Sequence, residues 1–382
     1  MKLLQLSTVE ERIKELEKVT ARFTERAAAE EKAFPYENFK ELKDLGYPAL
    51  TVPKKFGGAG ISLLEMVQLQ ETLGKADGST ALSIGWHMGI TKHLGDHNIW
   101  EEHTYQQFAN DVLHRGSLLN NAASEAGTGS PSRGALPATT AHWDGSSWIL
   151  NGRKNFTTMA PILDYFVVSA TVSNTEEVAN FLVRRESKGL TIEETWDSVA
   201  MQGTGSHDLV LTDVNVSEKG LVQYLSPGNK GAAGWLLHVP ACYLGIARAA
   251  QSEAIQFAHK HSPSSIEGVI ADIPAVKQRL GEIELNIWQS QTLLYATAQK
   301  WDQSTEEVRQ SMKAELGAVK LTVVNHAIHV VDKAMRVVGA SSLSENSPLQ
   351  RYYRDVRAGL HNPPMDDMTI LALADRANNR EK

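Results

Sequence analysis

Two hydrophobic periods run along the chain, and the points where one gives way to the other divide it in three. Near the N-terminus, Ile13, Leu16, Val19 and Phe23 recur at helical spacing behind Ser7-Thr8-Val9-Glu10, which has the S/T-x-x-E form of a capping box. A second box, Ser62-Leu63-Leu64-Glu65, follows the glycines at 57–60 and opens a helix striped by Leu64, Val67 and Leu73. After the polar break at 75–80, positions 81–94 are apolar on more than one side, which predicts a central, buried helix. Between 119 and 222 the period shortens to two. Strands are predicted at 135–140, 148–150, 165–170, 181–183, 190–193 and 208–216, the last with a bulge near Thr212-Asp213. Asp144-Gly145 and Asn151-Gly152 are dipeptides suited to tight hairpin turns, whose central residues need positive φ. Helical spacing returns over 235–259, 275–301, 305–338 and 365–378. Ser304-Thr305-Glu306-Glu307 caps the third of these, and Pro274 sits where a first turn tolerates proline. The pattern predicts an α+β fold, mostly α: an N-terminal helical domain over 1–118, a small β domain over 119–225, and a C-terminal helical bundle over 226–382.

Composition narrows the function classes. The 382 residues are 42% hydrophobic, enough for a sizeable core, and a net charge of −7 gives no electrostatic reason to bind nucleic acid or an anionic membrane. With no signal-like segment and no apolar run near about 18 residues, the expectation is a soluble, cytoplasmic protein without a membrane partner. The single cysteine, Cys242, lies in an apolar helix and reads as a buried, inert thiol. His93 and His97 are four apart, but Gly95 weakens their helix and no third ligand is evident, so no metal is expected. Trp86, Trp235 and Trp288 read as core residues. The irregular run Ser124-Glu125-Ala126-Gly127-Thr128-Gly129-Ser130 is where a ligand is expected, because small residues allow close backbone approach and offer amide and hydroxyl donors.

That run, followed by Leu150-Asn151-Gly152-Arg153-Lys154-Asn155-Phe156-Thr157-Thr158, resembles the flavin-binding stretch of the acyl-CoA dehydrogenase superfamily. Val52-Pro53-Lys54-Lys55-Phe56-Gly57-Gly58-Ala59-Gly60 and Arg351-Tyr352-Tyr353-Arg354-Asp355 resemble two further motifs of that superfamily, so the likeness covers nearly the whole chain. It implies a flavin contacted by Ala123, Ser124, Ser130, Phe156, Thr157 and Thr158. It also implies that the β domain is a small β-barrel, that the C-terminal domain is a four-helix bundle carrying the oligomer interface, and that the protein is a homo-oligomer, a tetramer or at least a dimer, in which Gly339, Ala340 and Ser341 reach across to the flavin of a neighbour. The positions matching the superfamily's grip on the far end of FAD are Pro263, Ile266 and Pro274, so either FAD or FMN is expected, held loosely or supplied reduced.

The reaction is less settled. Dehydrogenases of this superfamily remove an α-proton with a glutamate, and the two places that hold it correspond here to Pro363 and Trp235, neither of which accepts a proton. The nearest carboxylates in sequence, Asp366 and Asp367, read as first-turn acids placed by the helix dipole. Leu360-His361-Asn362-Pro363 instead resembles a segment in the flavin-dependent monooxygenase branch, of the dibenzothiophene and hydroxyphenylacetate type. That likeness implies oxygen chemistry assisted by His361, Thr158 and His87, a pocket including Trp235 and Asn362, and a partner flavin reductase. Plainer readings stand beside each: His361 as a carbonyl cap, Thr158 as a backbone contact, His87 as a satisfied core histidine. Three functions stay open: a two-component monooxygenase acting on a small organic molecule, an acyl-CoA dehydrogenase with a relocated base, and a flavin-binding scaffold without turnover.

Overall fold

A computed structural model of the chain describes residues 2–127, 136–175, 177–225 and 231–379. Its N-terminal part holds five α-helices: α1 (Val9–Ala29), α2 (Tyr36–Leu45), α3 (Leu63–Ala76), α4 (Gly78–Asp96) and α5 (Glu102–Arg115). The first capping box sits one residue later than read above: Thr8 accepts from the Glu11 N–H, and the Glu11 carboxylate takes the N–H groups of Ser7 and Thr8. In the second box Ser62 accepts from the Glu65 N–H with no return bond, because Glu65 is drawn off by the buried guanidinium of Arg12, and the distant Asp302 carboxylate takes the Leu63 and Leu64 N–H groups. Asp77 caps α4 through the Thr80 N–H at 3.0 Å, and this helix is buried along nearly its whole length, as its pattern predicts.

The middle part is an eight-stranded sheet: β1 (Leu119–Ala122), β2 (Thr140–Trp143), β3 (Ser147–Thr157), β4 (Tyr165–Val172), β5 (Val178–Arg184), β6 (Leu190–Glu193), β7 (His207–Ser217) and β8 (Leu221–Leu225). The order is β6-β7-β3-β2-β4-β5-β8, with β1 added in parallel on β4. Asp144-Gly145 is the expected turn, linking β2 to β3. Asn151-Gly152 is not: it lies inside β3, opposite a bulge in β7 at Thr212-Asp213, with Asn151 and Asp213 exchanging two hydrogen bonds. Glycine is needed at 152 for close approach, since a Cβ there would stand 2.4 Å from the Thr139 hydroxyl. The second strand starts at Thr140 rather than 135, and β1 and β8 lack any strong sequence signal.

The C-terminal part holds α6 (His238–Lys260), α7 (Pro274–Gln303), α8 (Glu306–Ser311), α9 (Lys313–Val338), α10 (Pro348–Ala358) and α11 (Asp366–Asn378). The helix predicted over 305–338 is broken at Met312. Arg309 causes the detour by donating to the Trp301 and Asp302 carbonyls at the end of α7 and stacking on the Trp301 ring. The helical parts are joined where α3 crosses α6 through two glycines. A Cβ at Gly74 would lie 2.4 Å from the Cys242 carbonyl oxygen, and one at Gly245 would lie 2.3 Å from that of Glu71. Cys242 itself is buried, and burial pushes its thiol well above the usual range. Trp288 departs from the expected core role: it is 63% exposed on α7, near exposed Leu285 and Leu293. Among the described residues no helix is long and apolar enough to cross a membrane.

Candidate functional site

The site is built around the end of β3. Alternation along this strand turns Leu150 and Lys154 inward, and a lysine facing a core needs a partner. Lys154 finds it in Glu125, with Nζ 2.5 Å from Oε1 and both side chains almost fully buried. Glu125 also accepts from the Thr139 N–H and hydroxyl and from the Ala138 N–H. Burial pushes its carboxyl up, but Lys154 and the Thr139 and Ala138 donors outweigh that and hold it down at about 2. The pair clasps the loop after β1 to β3, and the Asn155 N–H completes the clasp by donating to the Ser124 carbonyl at 2.9 Å.

Beyond Lys154 the register with β7 slips by one residue, so Asn155-Phe156 forms a bulge. Phe156 takes φ +53°, an unusual conformation for a bulky residue, and its ring is 62% exposed, edge-on to Trp196 at 6.0 Å. Thr157 is buried, and its hydroxyl has no hydrogen-bond partner among the described residues. The Thr158 hydroxyl shares a hydrogen bond with Ser206 at 2.9 Å, and its carbonyl accepts from Asn120 of β1 at 3.0 Å. Ser206 belongs to a loop held from the bundle: Asp355 of α10 accepts the Met201 N–H at 2.6 Å. Burial pushes the Asp355 carboxyl up to about 7.

The sequence-predicted residues divide into those this geometry brings together and those it does not. Ala123, Ser124, Phe156, Thr157 and Thr158 lie together at the junction of β3 with the loop after β1; Ser130 lies outside the described residues. His87 is fully buried, and both ring nitrogens are taken: Nε2–H donates to the Pro48 carbonyl, and the Leu119 N–H donates to Nδ1, each at 3.1 Å. It fixes β1 to α4 and presents no free donor, so the core reading describes its contacts. Burial pulls its pKa down to about 4, which keeps the imidazole neutral. His361 is exposed in the turn after α10, and its neighbour Asn362 accepts from the Tyr243 hydroxyl of α6 at 2.6 Å. Trp235 is half-buried and lies edge-on to Trp86 at 5.9 Å. Gly339, Ala340 and Ser341 are exposed at the end of α9, in a turn packed mainly on α9 and α10. Among the described residues no cluster of three metal-ligating side chains occurs, and His97 bonds to the His93 carbonyl.

Asn120, Ser206 and Tyr243 escaped sequence reading, because each acts through a partner far along the chain. The inward-facing Lys154 was legible in principle: its place in the strand alternation already called for a buried acid.

Family models for the N-terminal, middle and C-terminal domains of acyl-CoA dehydrogenase match residues 8–97, 120–214 and 237–362. The chain belongs to the acyl-CoA dehydrogenase family. It is 49% identical over 364 residues to the Bacillus subtilis protein named "Putative acyl-CoA dehydrogenase YdbM", covering 94% of each chain. It is 28% identical to the L-evernosamine nitrososynthase of a Micromonospora species, over 85% of this chain and 79% of that one. Its fold matches that of TdsC from Paenibacillus sp. A11-2, solved with FMN and indole, at a TM-score of 0.82 and 21% identity over 94% of this chain and 95% of that one.

Proposed function

We propose that the protein is a flavin-dependent monooxygenase that receives reduced FMN or FAD from a separate reductase and places one oxygen atom of O₂ on a small organic substrate. One observation carries this reading most: the positions that hold the α-proton base in family dehydrogenases are Pro363 and Trp235 here, while the turn beside Pro363 offers His361 and Asn362. Buried carboxylates elsewhere are committed. Glu71 holds Arg248 and Tyr295, Asp77 caps α4, Glu125 holds Lys154 and Asp355 holds Met201. Asp366 pairs with Lys320 at 3.0 Å. Among the described residues, each of these five carboxylates already has a partner within the chain.

The residues at the end of β3 fit a planar, amphipathic ring. Phe156 and Trp196 present aromatic surface, Ser124 and Thr158 present hydroxyls, and the orphaned Thr157 hydroxyl gains a partner. Ala123, Ser124, Phe156, Thr157 and Thr158 hold the flavin, and Gly339, Ala340 and Ser341 come from a neighbouring copy. Bound reduced flavin supplies the two electrons with which one oxygen atom enters the substrate and the other leaves as water. The Thr158 hydroxyl and His361 act as donors to negative charge developing on oxygen, and His87 acts indirectly by positioning β1, whose Asn120 holds Thr158. Trp235 limits water.

With FMN or FAD, a flavin reductase and NADH, the protein is expected to consume O₂ in the presence of a phenol or thiophene and to yield an oxygenated product. Acyl-CoA added anaerobically to the flavin-loaded protein is expected to leave the visible flavin absorbance intact. The name of the Bacillus relative favours the dehydrogenase reading, and bleaching by an acyl-CoA without any reductase would establish it. A failure to bind either flavin in either redox state would leave only the scaffold.

Self-association belongs to the same proposal. Leu285 and Trp288, three residues apart on α7, expose apolar surface that a second copy would cover, and the turn holding Gly339, Ala340 and Ser341 is exposed as well. Light scattering at micromolar concentration is expected to give two or four times 41.9 kDa. Trp288→Glu should shift that mass toward the monomer; a monomeric wild type would contradict the proposal.

A further inference from the structure

Two further hydroxyls stand in line behind that of Thr158. The Thr158 Oγ1 lies 2.9 Å from the Ser206 Oγ, which lies 2.8 Å from the Thr204 Oγ1. Thr204 in turn donates to the Met201 carbonyl at 2.9 Å. Thr204 and Ser206 are buried and Thr158 is half-buried, so these groups answer to one another rather than to solvent. Each hydroxyl has one hydrogen to donate, and this sets the direction of every bond. A carbonyl only accepts, so the Thr204 hydrogen points at Met201. Ser206 must then donate to Thr204, and Thr158 to Ser206. At rest Thr158 therefore turns lone pairs, not a hydrogen, toward a ligand that faces it. Backbone bonds hold the line in place: the Met159 and Ala160 N–H groups donate to the Thr204 and Gly205 carbonyls at 3.0 and 3.2 Å, and Asp355 takes the Met201 N–H.

We infer that Ser206 and Thr204 are positioning residues that make Thr158 an acceptor, so that the site favours reduced over oxidised flavin through the N–H that reduction creates at N5. The inference rests on the reading of Thr158 as a flavin contact given under Proposed function. Flavin N5 carries a lone pair in the oxidised ring and a hydrogen in the reduced one, whereas the N3–H is present in both. An acceptor facing N5 is met only after reduction. To meet the oxidised ring the line must run the other way, Thr204 to Ser206 to Thr158 to N5, and the bond from the Thr204 hydroxyl to Met201 is lost. The Met201 carbonyl is not orphaned by that loss, because it also accepts the Thr204 N–H at 3.1 Å and the Trp196 indole N–H at 3.3 Å. Reversal therefore costs one hydrogen bond. Negative charge on oxygen outweighs that cost, since hydrogen bonds to charged acceptors are roughly twice as strong as neutral ones; a neutral ring nitrogen does not. The same line thus grips the reduced ring first and donates to developing charge afterwards, which suits a protein that takes its flavin already reduced.

The midpoint potential of bound flavin reads the preference directly, because tighter binding of the reduced form raises it. The full-length protein is titrated anaerobically with FMN and with FAD, each oxidised and dithionite-reduced. In Ser206→Ala and in Thr204→Val the ratio of oxidised to reduced dissociation constants is expected to fall by about three- to tenfold, the size of one buried hydrogen bond, and the potential to drop by about 15–30 mV. Thr204→Ser keeps the hydroxyl and should keep the wild-type ratio. Residues that merely shape the turn would, when replaced, weaken both redox forms alike and leave the potential where it was. An unchanged or raised potential in Thr204→Val, or a Thr204→Ser that behaves like Thr204→Val, would overturn the inference. If Ser206→Ala does not fold, Thr204→Val, which exchanges a hydroxyl for a methyl, decides alone. Flavin bound by all variants with one common ratio sinks this inference and leaves the flavin reading standing, whereas a wild type that binds neither form removes both.

Discussion

Lys154→Met is expected to destabilise the protein by about 3–5 kcal/mol, the usual cost of leaving one member of a buried ion pair without its counter-charge. The methionine fills the space of the lysine stem, but Glu125 keeps its charge, and only the Thr139 and Ala138 donors remain to hold it. The damage should reach the ligand, since Ser124 adjoins Glu125 and the loop loses its tie to β3. Urea denaturation and flavin titration of the same variant should therefore both move. The double variant Glu125→Gln/Lys154→Met removes both charges and is expected to regain most of the lost stability, and the cycle yields the coupling directly. Acid provides an independent handle. The Glu125 carboxyl is held at about 2, below its ordinary 4.5, so its contribution is fully present above about 4.5 and drains away as pH falls toward 2. A loss under about 1 kcal/mol in Lys154→Met, or an unchanged acid limb, would mean that the clasp contributes little.

That clasp also marks how far the sequence can be read. The period change near 119 and again after 225, the cap at Ser62, the first-turn proline at Pro274 and the bulge at Thr212-Asp213 are local patterns, and all are visible in the chain. The bulge shows because Leu209 and Leu211 fall out of phase with Val214 and Val216. Asn151-Gly152 misleads for a related reason: the dipeptide that suits a turn also suits a place where another segment comes close, and the segment is Thr139. Partners distant in sequence are not legible in this way. Pro48 and Leu119 occupy both nitrogens of His87 from 39 and 32 residues away, Glu125 lies 29 residues from Lys154, and the lack of any partner for His238 is a property of packing alone. The motif at 150–158 carries the likeness to the family but does not disclose that Phe156 turns to positive φ.

His361→Ala is expected to lower the rate of substrate oxygenation by about 10²–10³, the range found when one donor to a developing negative charge is removed. Stability should hardly move, within about 0.5 kcal/mol, because the side chain is exposed and the turn is fixed independently by Tyr243 and Asn362. Flavin affinity should also persist, since the residues at the end of β3 are untouched. What distinguishes a donor at the reacting oxygen from a residue that merely shapes the turn is the fate of the electrons. Reduced flavin still meets O₂ in the variant, so NADH consumption by the coupled reductase should continue while its yield shifts from product to hydrogen peroxide. Tyr243→Phe offers the contrast: it frees Asn362 and loosens the turn without removing the imidazole, and a milder loss of coupling is expected. Product formed by His361→Ala at the wild-type rate would remove His361 from the reaction, and a parallel fall in NADH consumption and product would assign it to flavin binding instead.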